Sequence, residues 1–274
     1  MAGLSLSNEP FLWPAAASSG GRDNGRAVLL LHGLGGGIYE LGLVAKRLHE
    51  SGFTVRGINY PGHDRPAKVM PPSRWEDWFQ SALDAYRALA QDHPLVSLVG
   101  FSTGCQVALL LASERSVDRM ALLSPFVRVR HRWFYGARPE AYLRAFGRFS
   151  DQVPRRPLAI EDPEARAAVS RVSRPRTFNL TAVRSALELI DRVEPRLPSI
   201  TSPVILLQSK GDLVVDPAGA DHIYERLGSK EKELVWLHRS DHAIALDTER
   251  DLVLESVARF LAPPARSAGS NLSG

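Results

Sequence analysis

Short apolar runs alternate with stretches of helical period along most of this 274-residue chain, and no other feature constrains the fold as strongly. A run buried on both faces belongs to a parallel sheet, and parallel neighbours need helical crossovers between them. Residues 27–31 (AVLLL) read as the first such strand, followed by a helix over 38–50 with Leu41, Val44 and Leu48 on one face. Strands over 53–58, 95–99, 119–123, 203–207 and 233–237 continue the series. Helices over 75–90 and 103–113 fall between them, and a third reaches Leu227 from the Asp216-Pro217 start. Asp247 reads as the cap of a final helix whose Val253, Val257, Phe260 and Leu261 make an apolar stripe. Six strands with helical crossovers predict a doubly wound, mostly parallel α/β sheet.

The alternation stops over residues 128–198, where helical pieces at 139–149, 163–171 and 181–193 are broken by prolines. A structureless loop of that length is improbable within a compact domain. The expected organisation is a core of residues 25–127 and 199–262, carrying residues 128–198 as a helical cap over the carboxyl edge of the sheet. Residues 1–24 and 263–274, rich in Gly, Ser, Ala and Pro, are expected to be mobile tails.

Charge is distributed unevenly between these parts. The whole chain carries a formal +4, yet residues 128–198 hold 15 Arg, no Lys and 8 acidic residues, a local +7 that leaves −3 elsewhere. The single cysteine, Cys105, excludes an internal disulfide and a cysteine metal cage, and the eight His show no zinc-binding spacing. Neither a leader pattern nor about 18 uninterrupted apolar residues occurs, so a cytoplasmic protein is expected.

Gly100-Phe101-Ser102-Thr103-Gly104 fits G-x-S-x-G, between an apolar strand and a helix. A strand-to-helix elbow lifts its central serine above the sheet, whereas an ordinary turn that happens to contain serine would show no such context. A serine hydroxyl is a weak nucleophile and needs a base, itself oriented by an acid. In sheets of this kind the partners follow in the order Ser, Asp, His on loops at the strands' carboxyl ends. Asp212, after the fifth strand, is the candidate acid; Asp216 is its neighbour, already accounted for by helix capping. His242, after the sixth strand, is the candidate base. His238 at the strand end and His222 inside a helix are the alternatives, and Asp241 reads as a loop hydrogen-bonder. The glycine-rich turn from His32 to Gly37 can bring backbone N–H groups close to a ligand, and the N–H groups of Leu34 and Thr103 are the expected oxyanion donors. The same turn lacks both the phosphate-loop and the dinucleotide spacings. His32 is read as an anchor of the turn, and Cys105 as a buried packing residue.

HGLGG after a strand, GFSTG at an elbow, KGDLVVDP and SDHAIALD, in that order, resemble the α/β-hydrolase superfamily. The bacterial carboxylesterase and monoacylglycerol lipase branch is the most similar, and SGFTVRGINYPGHD, WEDWFQSA and LESVARFL share in the likeness. It spans about residues 27–261 and is weak in the insertion. The resemblance implies Ser102 as nucleophile, His242 as general base and then acid, Asp212 as orienting carboxylate, and Leu34 with Thr103 as oxyanion hole. Cys105 stands where glycine is common, and Asp64 follows Gly-His where the branch often has glycine. The Arg-rich insertion is the departure that bears on substrate.

The leading expectation is a serine esterase that cleaves carboxylic esters with an apolar acyl group, using no metal or organic cofactor. A thioesterase or acyltransferase on the same three residues is the alternative, since positive charge in the insertion suits a phosphorylated acyl carrier. Tyr135, Tyr142 and Phe146 recur at helical spacing in the insertion and are candidate acyl contacts, or else its own small core. A non-catalytic binder would have no need of all three residues and both oxyanion loops. No nucleic-acid motif is present. Only aromatics and Arg in the insertion speak for peripheral membrane contact, without a clear amphipathic helix.

Overall fold

The computed structural model describes residues 4–15, 24–64, 68–130 and 151–262. A seven-stranded sheet runs β1 (Phe11–Trp13), β3 (Thr54–Gly57), β2 (Arg26–Leu31), β4 (Leu95–Phe101), β5 (Met120–Leu123), β8 (Val204–Ser209) and β9 (Lys232–Leu237). All neighbours are parallel except β1, which lies antiparallel on β3.

The strand residues alternate between two apolar layers, as the two-residue period of a strand requires. Ala27, Leu29 and Leu31 pack with Trp78 and Leu83 of α2 (Trp75–Asp92) and with Val107 of α3 (Thr103–Glu114). Val28 and Leu30 face the other way, onto Val44 and Leu48 of α1 (Gly42–Glu50) and onto the carboxy-terminal helix Arg250–Leu261. The latter contributes Val253, Val257, Phe260 and Leu261.

Three differences from the sequence reading are informative. Residues 1–24 are not wholly a tail, because Phe11–Trp13 forms the edge strand β1. The helix expected over 38–50 opens as a 3₁₀ turn, Ile38–Leu41, before α1 begins. Within 151–198 the insertion is not helical throughout. It contains an antiparallel pair, β6 (Gln152–Pro154) with β7 (Thr177–Asn179), beside the helices α4 (Pro163–Arg171) and α5 (Leu180–Val193). Asp162 caps α4 by accepting the Ala165 N–H at 2.8 Å, and Asn179 caps α5 through the Thr181 N–H at 2.9 Å. The helical piece expected at 139–149 lies outside the described residues, as do Tyr135, Tyr142 and Phe146. Among the described residues no helix is long and apolar enough to cross a membrane.

Candidate active site

Ser102 stands between β4 and α3 with φ 54° and ψ −117°, a left-handed φ that L-residues rarely adopt. The chain tolerates it because helix and strands meet tightly there. A side chain at Gly104 would lie 2.0 Å from the Leu31 carbonyl oxygen, so only glycine lets α3 approach β2 this closely. The Ser102 N–H donates to the Leu123 carbonyl at 2.9 Å, tying the elbow to β5. Strain held at one point by surrounding packing is characteristic of a functional residue.

His242 and Asp212 arrive from the loops after β9 and β8. The Ser102 Oγ lies 3.2 Å from His242 Nε2, and His242 Nδ1 lies 2.8 Å from Asp212 Oδ2. A carboxylate can only accept there, so Nδ1 carries the proton and Nε2 presents its lone pair to the serine hydroxyl. Asp212 is fully buried, with Oδ1 accepting the Val214 and Val215 N–H groups at 2.8 and 2.9 Å and Oδ2 accepting from Gln208 Nε2 at 3.0 Å. Burial opposes its charge, but His242 and these donors outweigh it and hold the carboxyl below its ordinary 3.8. Burial likewise opposes a charge on His242, and the Asp212 carboxylate reverses the outcome, raising the imidazole above its ordinary 6.5. The structure therefore brings together the three residues singled out from sequence.

The alternatives sit elsewhere. His222 Nε2 meets Glu194 at 2.9 Å, and the His238 N–H donates to Glu249. Asp216 accepts the Ala218 N–H at 3.2 Å but is not the cap expected, since the helix Ala218–Arg226 has Pro217 as its N-cap, one residue later. Asp241 is the loop hydrogen-bonder expected, taking the Leu213 N–H at 2.8 Å. Cys105 is buried, its Sγ donating to the Gly100 carbonyl at 3.3 Å, and burial pushes the thiol well above its ordinary range.

The two loops expected to carry oxyanion donors adjoin the serine. Thr103 is the first residue of α3, whose initial N–H groups have no partner within the helix. A Cβ built on Gly33 would lie 3.2 Å from Ser102 Cβ, which places the start of the Gly33–Gly37 turn against the flank of Ser102. His32 anchors this turn: its Nδ1 donates to the Gly33 carbonyl at 2.8 Å and its Nε2 accepts the Tyr60 N–H at 3.2 Å. Burial, with the neighbouring His63, holds that imidazole well below 6.5, so it is neutral as the two bonds require.

Several supporting groups were not visible in the sequence. Glu40, buried in the 3₁₀ turn, accepts the Gly33 N–H at 3.0 Å, and Arg155 from the insertion faces it at 4.0 Å. Arg155 also donates to the Gly35 carbonyl and lies over the Phe178 ring at 5.1 Å. Ser124, the other non-glycine with positive φ among the described residues, donates to the His242 carbonyl at 2.8 Å. Asp247, read from sequence as a helix cap, is not one: the carboxy-terminal helix starts at Arg250 behind Glu249. Its buried carboxylate instead gathers the N–H groups of Asp241 at 2.7 Å, Asp162 and Thr248 at 2.8 Å, and Glu161 at 2.9 Å. Asp247 thus joins the histidine loop to the insertion. A helix cap and a loop clamp look alike in sequence, since both need a short acidic side chain before a helix.

A mostly parallel sheet with Ser, His and Asp converging at its carboxyl edge defines an α/β-hydrolase. The chain belongs to the serine aminopeptidase, S33 family, whose sequence profile matches residues 22–249. It is 25% identical over 237 residues to a carboxylesterase of Bacillus subtilis strain 168, covering 86% of this chain and 92% of that protein. It is 26% identical over 249 residues to a thermostable monoacylglycerol lipase of Bacillus sp. strain H-257, covering 86% and 90%. Among solved structures, the monoacylglycerol lipase of Paleococcus ferrophilus superposes with a TM-score of 0.75 at 21% identity, over 92% of this chain and 97% of that one.

Proposed function

We propose that this protein hydrolyses carboxylic esters through an acyl-enzyme. Ser102 Oγ attacks the ester carbonyl carbon as His242 Nε2 takes the hydroxyl proton. The carbonyl oxygen becomes an oxyanion facing the N–H groups of Leu34 and Thr103. Collapse breaks the bond to the alcohol oxygen, which receives the proton from His242. Water then attacks the acyl-serine by the same route, releasing the acid and restoring Ser102. Asp212 keeps the imidazole in the required tautomer and stabilises its charged form.

The observation that carries this reading is the 3.2 Å approach of His242 Nε2 to a serine held at φ 54°. The carboxylesterase and the monoacylglycerol lipase among its relatives support an oxygen ester as substrate. An apolar acyl group is the companion expectation, with residues 128–198 as the cap and Tyr135, Tyr142 and Phe146 as acyl contacts. The lone, buried Cys105 suits a reducing compartment, so we place the reaction in the cytoplasm.

Ser102→Ala should abolish both ester turnover and covalent labelling by a fluorophosphonate while leaving the fold intact. Turnover retained in that variant would overturn the assignment of the nucleophile. A panel of aryl esters, monoacylglycerols, acyl thioesters and an aminoacyl anilide tests the substrate class. Thioesters or the anilide preferred over every oxygen ester would overturn the ester reading and spare the three residues.

A further inference from the structure

Five of the insertion's 15 Arg gather at one place. A surface cavity of about 690 Å³ is lined by Lys68, Arg155, Arg156, Arg171, Arg174 and Arg176, with no carboxylate among its lining residues. Acidic side chains of the same segment are engaged away from it. Asp162 pairs with Arg250 at 2.8 Å, and Glu164 accepts the Leu4 N–H at 3.0 Å. Backbone pairing brings the cations together: the Arg176 N–H donates to the Lys68 carbonyl, and the Arg155 N–H to the Arg176 carbonyl, both at 2.9 Å.

Six like charges around one cavity repel one another; Glu40, facing Arg155 at 4.0 Å, offsets part of that repulsion, and the remainder costs stability. Arg174, half-buried, is held below its ordinary value chiefly by burial, with the Arg155 guanidinium adding to the shift while Tyr39 and Glu40 oppose it. A bound anion removes the repulsion. Guanidinium groups present planar pairs of N–H donors that match phosphate oxygens, and five of the six cations are Arg.

We propose that this cavity is a binding site for a phosphate group. Arg155 is shared between the cavity and the Gly35 carbonyl, so a phosphate held here lies one side chain from the turn that carries Leu34. The phosphate belongs either to the alcohol portion of the substrate or to a free phosphate ion. Only the first form rests on the ester-hydrolase reading, because binding is measured without turnover.

The test is calorimetric titration of the Ser102→Ala protein at 0.15 M salt with inorganic pyrophosphate, a 1-acylglycerol 3-phosphate and the matching neutral monoacylglycerol. Pyrophosphate should bind, and Arg156→Gln with Arg176→Gln should weaken it about a hundredfold, roughly tenfold for each charge-assisted contact removed. The thermal midpoint of that double variant should not fall, since the change relieves repulsion. If the phosphate-bearing ester binds more tightly than its neutral counterpart, the phosphate is the substrate's own. If the two esters bind alike while pyrophosphate still binds, a free phosphate is the ligand. Absence of pyrophosphate binding, or binding unchanged in the double variant, overturns the site.

Discussion

His242 Nδ1 lies 2.8 Å from Asp212 Oδ2, and the carboxylate in that contact is shut off from solvent. Only the neutral imidazole can take the Ser102 proton, and Asp212 raises the imidazole above 6.5. The acid limb of kcat/KM should therefore have its midpoint above pH 6.5, with activity falling as the pH drops through it. Asp212→Asn leaves burial opposed only by the weaker influence of Glu40 and Asp241, so the midpoint should move down, and kcat should drop by about 10⁴-fold. The stability contributed by the raised His242 is fully present below its unfolded value and fades as pH rises through the folded one. A pH–rate profile of both proteins checks the midpoint, and an acid limb that Asp212→Asn leaves in place would remove His242 as the base.

Asp247 ties four backbone N–H groups from two chain segments to one buried side chain. Asp247→Ala strands those donors and should cost about 3 kcal/mol of stability. Because Asp241 precedes His242, kcat should fall more than KM rises. Urea denaturation and steady-state kinetics on one ester measure the two effects. Unchanged kcat in a folded variant would restrict Asp247 to stability.

Arg155 and Glu40 are 5% and 1% exposed at their side chains, and burial raises Glu40 while Arg155 counteracts it. Arg155→Met leaves a carboxylate buried without its cation and should destabilise by about 3 kcal/mol. Glu40→Gln in that background should recover part of the loss, because the charge needing compensation is gone. A double-mutant cycle by denaturant unfolding reads the coupling, and strict additivity would mean that the two residues act independently.

His63, packed 5.8 Å from the Trp78 ring, is lowered by burial from 6.5 to about 4. Its folded form stays neutral where the unfolded chain is protonated. The stability it contributes is complete above about pH 6.5 and is lost as pH falls towards 4, by about 3 kcal/mol. His63→Leu should flatten that slope in a series of melting curves across the window. A slope unaltered by the substitution would place the acid sensitivity in other groups.

The sheet, Ser102, Asp212 and His242 were legible because each rests on contiguous signals: apolar runs for strands, and short loops directly after them for the polar residues. What was hidden depends on distant chain pairing. Arg155 meets Gly35 across 120 positions and Asp247 meets Glu161 across 86, and no local pattern marks either. The strands β1, β6 and β7 have three residues each, too few for a period to show, and prolines at 10, 14 and 154 mask them further. Their pairing comes from the tertiary setting, which overrides weak local preference.

The edge strand β1 has one more consequence. Phe11, Leu12 and Trp13 pair with Gly57, Arg56 and Val55, and the Phe11 and Trp13 rings stack at 4.1 Å. Without them the outer margin of β3 would present open hydrogen-bonding groups, a template onto which a strand of another molecule can add. Three residues near the amino terminus therefore act as a guard against aggregation, and a chain trimmed past Trp13 would lose its solitude.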